Sequence, residues 1–110
     1  MIIVFQSQAA GDVIMFGDVA QRMMLIMGKD VADQGIVTVQ QLPAAIDRLK
    51  AAIAADKAER AGKSADDLPP KERAEDGSSR PFVNLTQRAV PLLELLELSL
   101  KKNKAVVWGI

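Results

Sequence analysis

The chain contains no cysteine, no histidine and no tyrosine. Without cysteine there is no disulfide framework, no thiolate nucleophile and no sulfur ligand for a metal. Without histidine the side chain most often used for proton transfer near neutral pH is missing, as is the commonest zinc ligand. Without tyrosine there is no phenol for acid–base work. Charge of one sign is lacking too. The 14 basic residues are balanced by 14 acidic ones, so there is no cationic excess to draw a phosphate backbone. The densest basic cluster is Lys101-Lys102 with Lys104. A formal charge near zero also leaves little long-range repulsion between copies of the chain. No apolar run approaches the roughly 18 residues of a spanning helix. Met1–Phe5 is too short for the apolar core of a secretory signal and has no basic residue ahead of it. A cytoplasmic location is the expectation.

What is present is enough for one hydrophobic core. The 110 residues suit a single domain, and 49% are hydrophobic. Ile2–Gln6 are β-branched or aromatic before the terminal Gln, as strands favour. Asp12–Phe16 follow as a second apolar run, after the five residues Ser7–Gly11. The pair reads as a β-hairpin, with Gly11 available for a positive φ in the connection. Neither strand alternates apolar with polar residues. A sheet with one solvated face should alternate, so this sheet reads as needing cover on both faces. One cover comes from the chain's own helices and the other from outside, with a second copy as the candidate.

Three helices follow in the pattern. The first opens at Gly17-Asp18, with Asp18 as N-cap, carries Val19, Met23, Ile26 and Met27 at helical spacing, and stops at Gly28. The Met residues read mainly as core filler. Lys29–Val37 reads as a loop. Thr38 and Gln41 have capping-box spacing, and Pro43 suits a first helical position. Leu42, Ile46, Leu49 and Ile53 then form one stripe that runs to about Arg60, with Asp56 and Arg60 placed as an i,i+4 pair. Residues 62–81 change character, with Pro69-Pro70, Gly77-Ser78-Ser79 and Leu68 as the one large aliphatic. Such a stretch reads as a flexible tether inside a single domain spanning 1–110. Asn84 caps the third helix, with Gln87 three residues on. Leu85, Ala89, Leu92, Leu93, Leu96 and Leu100 share a face, which Leu95 and Leu98 widen. Pro91 predicts a kink, Glu97 and Lys101 an i,i+4 pair, and Asn103 a left-handed stop. Ala105–Trp108 is a final strand. The expected fold is α+β: a three-stranded sheet of the N-terminal hairpin and the C-terminal strand, covered by three helices, in the order ββαααβ.

Several segments together resemble a known family. They are Phe5-x-Ser7-x-Ala9-Ala10-Gly11-Asp12-Val13-Ile14-Met15, Gly28-Lys29-Asp30, Pro43-Ala44-Ala45-Ile46, Ala52–Asp56, Gln87-Arg88-Ala89 and Val107-Trp108-Gly109. The resemblance is to small, mostly proteobacterial proteins catalogued as a domain of unknown function. It implies a small bacterial protein and carries no activity and no site residues.

No residue pattern specifies a reaction, a metal or a cofactor. The serines have no histidine beside which to act. Gly28-Lys29-Asp30 lacks the flanking Gly and Ser or Thr of a phosphate loop, so Gly28 reads as a helix stop. Asp30 and Asp33, or Asp66 and Asp67, do not match a calcium loop and read as solvated acids. The favoured expectation is a non-enzymatic interaction or regulatory module that binds another copy or another protein. Leu95, Leu98 and Trp108 are its expected contact residues; Trp108 reads equally as a core plug or, if the final strand is an edge, as an interface anchor. The alternative is a small-ligand-binding protein or minor enzyme using Asp12, Lys29, Asp30 and Arg88, if the hairpin loop, the end of the first helix and the start of the third converge. Weak nucleic-acid binding ranks last.

Overall fold

The computed structural model describes residues 2–61, 71–73, 79–81 and 85–109. β1 (Ile2–Ser7) and β2 (Ala10–Phe16) form the antiparallel hairpin. Its connection is the two-residue turn Gln8-Ala9, shorter than the expected five. The Ala9 N–H donates to Ser7 Oγ at 3.1 Å and Lys102 Nζ donates to the Ala9 carbonyl at 3.1 Å, so side chains hold the turn. Phe5 pairs with Val13 but Ser7 pairs with Ala10. Gly11 and Asp12 therefore stand together against Gln6, a bulge that absorbs the residues read as loop. Positive φ at glycine is confined to Gly28 and Gly109 among the described residues, so Gly11 serves the bulge without a left-handed turn.

α1 (Gly17–Ile26) starts directly from β2. Its N-cap is Phe16 and no side chain caps it. Asp18 lies one position inside the helix, in its first turn, and is not the expected N-cap. The far end is as the spacing predicts. Gly28 has φ 83°, the Lys29 N–H reaches the Met24 carbonyl at 2.8 Å and the Gly28 N–H reaches that of Leu25 at 3.0 Å, which is a Schellman closure. Arg48 Nη1 donates to the Met27 carbonyl at 3.1 Å, placing a cation at the negative end of α1.

The segment read as a loop after α1 contains β3 (Gly35–Val37). α2 (Leu42–Ala61) begins one residue before Pro43, and Gln41 Oε1 accepts the Thr38 N–H at 3.1 Å, the reaching-back half of the capping box. Leu42, Ile46, Leu49 and Ile53 are all buried. Two short strands, β4 (Lys71–Arg73) and β5 (Ser79–Pro81), pair antiparallel within the stretch expected to be a tether. The remainder of that stretch, and the expected Asn84 cap, lie outside the described residues. α3 (Leu85–Lys102) runs unbroken with Pro91 inside it, and Asp56 of α2 supplies a cap from across the interface. The Asp56 carboxylate accepts the Thr86 hydroxyl at 2.9 Å and the Thr86 N–H at 3.2 Å. Asn103, at φ 59°, ends α3 by a second Schellman closure, with the Lys104 N–H on the Ser99 carbonyl at 2.8 Å. Glu97 meets Lys50 of α2 at 3.6 Å, an exposed pair of the kind that contributes at most about 1 kcal/mol.

β6 (Val106–Trp108) completes the main sheet. The order is β2-β1-β6-β3, all antiparallel, so the sheet has four strands where three were expected. α1 and α3 lie against one face, and α2 packs on α3 and α1. The core between them takes Ile3 and Phe5 from β1, Met15 from β2, Val37 from β3, and Val106 and Trp108 from β6. Met23, Met24, Met27, Leu49, Leu92 and Leu96 face them from the helices.

Candidate functional site

The residues expected to make contacts fall into separate places. Trp108 is buried. Its ring lies 5.6 Å from that of Phe5, inclined at 57°, and its Nε1 donates to the Ala32 carbonyl at 3.0 Å. A Cβ at position 35 would run into the indole, so β3 can pass alongside Trp108 only because residue 35 is glycine. Of the two readings of Trp108, this is the core one, and its place among the contact residues is corrected. β3 pairs with the outer side of β6, which makes β6 an interior strand and Trp108 a core residue. Leu95 is likewise buried, on the sheet side of α3, whereas Leu98 is exposed.

The four charged candidates form two pairs. Asp12 and Arg88 line one pocket of about 420 Å³, together with Ile2, Val13–Phe16, Val19, Gln87 and Pro91. Lys29 and Asp30 line another, of about 350 Å³, beside β3 and Trp108. The two pockets sit at opposite edges of the sheet, with β2 and β3 separated by three strand spacings, about 14 Å. The hairpin and the start of α3 thus converge, but the end of α1 does not join them. Lys29 Nζ instead donates to Gln41 Oε1 at 3.1 Å and ties that loop to the start of α2.

The serine hydroxyls that the fold brings together are occupied within it. Ser99 Oγ is bonded to the Leu95 carbonyl at 2.6 Å and to Ser7 Oγ at 2.7 Å, and Ser7 Oγ also accepts the Ala9 N–H. They join the hairpin turn to α3. Among the described residues no group of three or more acidic side chains is placed to hold a metal ion.

On the sheet's second face, Ile2, Ile14 and Ile36 are exposed among the described residues. Alternation along each strand sends Ile3, Phe5 and Met15 to the helices and Ile2, Val4, Ile14 and Phe16 to the opposite side. Ile36 and Val107 join that side from β3 and β6. Register places Ile2 beside Phe16, Val4 beside Ile14, and Val107 beside Ile36. A patch crossing four strands results, apolar except for Gln6 and Asp12 at one end. Ile14 is 66% exposed and Ile2 53%. The sequence signal for this patch was the missing alternation in the first two strands. The share of Ile36 could not be read, because β3 was not recognised.

The pocket at β2 has a particular shape. Its lining takes Asp12, Ile14 and Phe16 from the open side and Val13 and Met15 from the helix side. Side chains of both faces line one cavity only where that cavity runs along the strand's edge. β2 is the outermost strand, and among the described residues no strand pairs with its outer side. Val19 and Pro91 form the wall that α1 and α3 contribute.

Three helices and a four-stranded antiparallel sheet, with α1 and α3 on one face of the sheet, define an α+β protein. The chain belongs to the family described as Domain of unknown function (DUF1840), whose model matches residues 1–108. No curated protein and no solved structure matches it. No helix among the described residues is long and apolar enough to cross a membrane.

Proposed function

We propose that the chain is a non-enzymatic docking module of the bacterial cytoplasm that associates with itself through its sheet. The observation behind this reading is the apolar face carrying Ile2, Val4, Ile14, Ile36 and Val107, of which Ile2, Ile14 and Ile36 are exposed among the described residues. In outline the face measures roughly 300 Å², from four strands at about 4.8 Å spacing and β2 at about 3.4 Å per residue. The largest contiguous apolar patch on a typical monomer is about 300–600 Å² and is often functional. The balance of 14 basic and 14 acidic residues leaves little repulsion to oppose a second copy. Light scattering across a concentration series tests the proposal. The wild-type mass should rise toward twice the monomer, and Ile14→Glu should hold it at the monomer with an unchanged circular dichroism spectrum. A wild-type chain monomeric at every concentration overturns the reading.

A ligand-binding reading has one observation in its favour, the meeting of Asp12 and Arg88 in the pocket beside β2. A small-molecule thermal-shift screen that moves the melting point of the wild type but not of Asp12→Asn supports it. Nucleic-acid binding has no comparable feature behind it.

A further inference from the structure

We infer that residues 28–36 form a strap that lifts as a unit from an otherwise folded domain, uncovering Trp108 and the outer ladder of β6. The strap does not depend on self-association, because a monomer has it too.

The segment hangs between two core residues. Met27 is 2% exposed and Val37 is fully buried. None of the nine residues from Gly28 to Ile36 between them is buried. Yet this segment lies over Trp108, the largest fully buried side chain of the core. It is seated by its main chain. The Ala32 carbonyl accepts the indole Nε1–H at 3.0 Å. Gly35 lies so close to the ring that a Cβ there would overlap it. The Asp33 carbonyl rests against Gly109, with no room for a Cβ between them. Closing therefore buries part of the indole, while the strap's own side chains stay exposed or half-exposed. The seat is also loosely filled. A pocket of about 350 Å³ opens there, lined by Trp108 and otherwise by strap residues alone.

Local opening is easiest where a segment brings few buried apolar contacts of its own and where its removal leaves the rest supported. Both conditions hold. β3 pairs with β6 alone among the described residues. β6 is held from its other side by β1, and α3 also lies against it. Lifting the strap breaks the Gly35–Trp108 and Ile36–Val107 pairings and the indole hydrogen bond. It leaves Val37 beside Val106 in the core and Phe5 beside the indole. The other end is fixed as well, since Arg48 Nη1 holds the Met27 carbonyl. Gly28 follows at φ 83°, a conformation that glycine enters and leaves without strain, and so serves as the pivot.

The lifted state offers what the closed state withholds. An indole stands beside an open strand edge, and both are features that anchor contacts. The strap is thus a switch on the exposure of Trp108.

The indole Nε1–H reports the strap, because its acceptor is the Ala32 carbonyl and Trp108 is the sole tryptophan. In native-state hydrogen exchange followed by NMR, its protection should be at least about tenfold lower than that of the slowest amides of α2 and α3, which wait for global unfolding. Ile53→Val separates the two events. Ile53 is buried in α2, about 16 Å along the helix from its start. The substitution should lower the protection of the helix amides by roughly two- to tenfold and leave that of the indole unchanged, because the strap lifts with residue 53 still packed. If the wild-type indole is as protected as the helix amides, or loses protection in step with them in Ile53→Val, Trp108 is uncovered only by global unfolding and there is no strap.

Discussion

The two faces of the sheet are built from neighbouring residues of the same strands, with opposite outcomes. Ile3 and Ile2 are adjacent and chemically identical, yet Ile3 is 6% exposed and Ile2 53%. Met15 and Ile14 are adjacent on β2, at 7% and 66%. The covered face meets the methionines and leucines of α1 and α3. On the open face Ile2, Ile14 and Ile36 are exposed. Apolar character along a strand therefore predicts that a face will be covered, but not by what. The difference between the faces lies in where the helices fall after β2 turns directly into α1.

The sharpest way to break the comparison is to truncate the covered face. Trp108→Ala removes the indole from between Phe5, Gly35 and the Ala32 carbonyl, and should cost about 3–5 kcal/mol. Urea unfolding followed by circular dichroism measures it. Gly35→Val attacks the same contact from β3. Its side chain would overlap the indole, and a loss of about 1–3 kcal/mol is expected, with β3 displaced from β6. Amide hydrogen exchange at Ile36 and Val37 would then accelerate. A smaller effect belongs to the layer that does the covering. Asp56→Ala leaves the Thr86 N–H and hydroxyl without the carboxylate, and should lower stability by about 1–2 kcal/mol. If Asp56→Ala proves neutral in urea unfolding, water replaces the carboxylate at no cost and the cross-helix cap is not a stabilising contact. Smallest of all is Ile14→Ala on the open face. Measured at concentrations where the chain is monomeric, it should stay within about 0.5 kcal/mol of wild type. A larger loss would mean that the open face already has an intramolecular partner.

Much of the helical frame was legible because its signals are local. Gly28 and Asn103 end their helices with the left-handed residue and the closing hydrogen bonds that their positions imply. The stripe Leu42, Ile46, Leu49 and Ile53 is buried as its spacing predicts. The third helix was placed correctly, but its buried line runs through Ser99 and leaves Leu100 exposed. Polarity misled there, because Ser99 satisfies its hydroxyl on the Leu95 carbonyl and Ser7 and so enters the core at little cost. Asp18 and Gly11 had the right chemistry for a cap and a turn, but a helix beginning at Gly17 and a bulge opposite Gln6 gave them other tasks.

Composition and periodicity by themselves determined the α+β class, the three helices, the stops of the first and third, the hairpin and the C-terminal strand. They also determined the missing chemistry, since residues that are absent can be placed nowhere. Tertiary structure alone decided that β6 is an interior strand, that Trp108 lies in the core and that Gly35–Val37 is a strand at all. The physical reason is that a three-residue strand has almost no local preference to declare. It forms because β6 offers a ladder and residue 35 has no side chain to strike the indole. Pairing between strands far apart in the chain likewise decided that Asp12 and Arg88 line one pocket while Lys29 and Asp30 line another at the other edge.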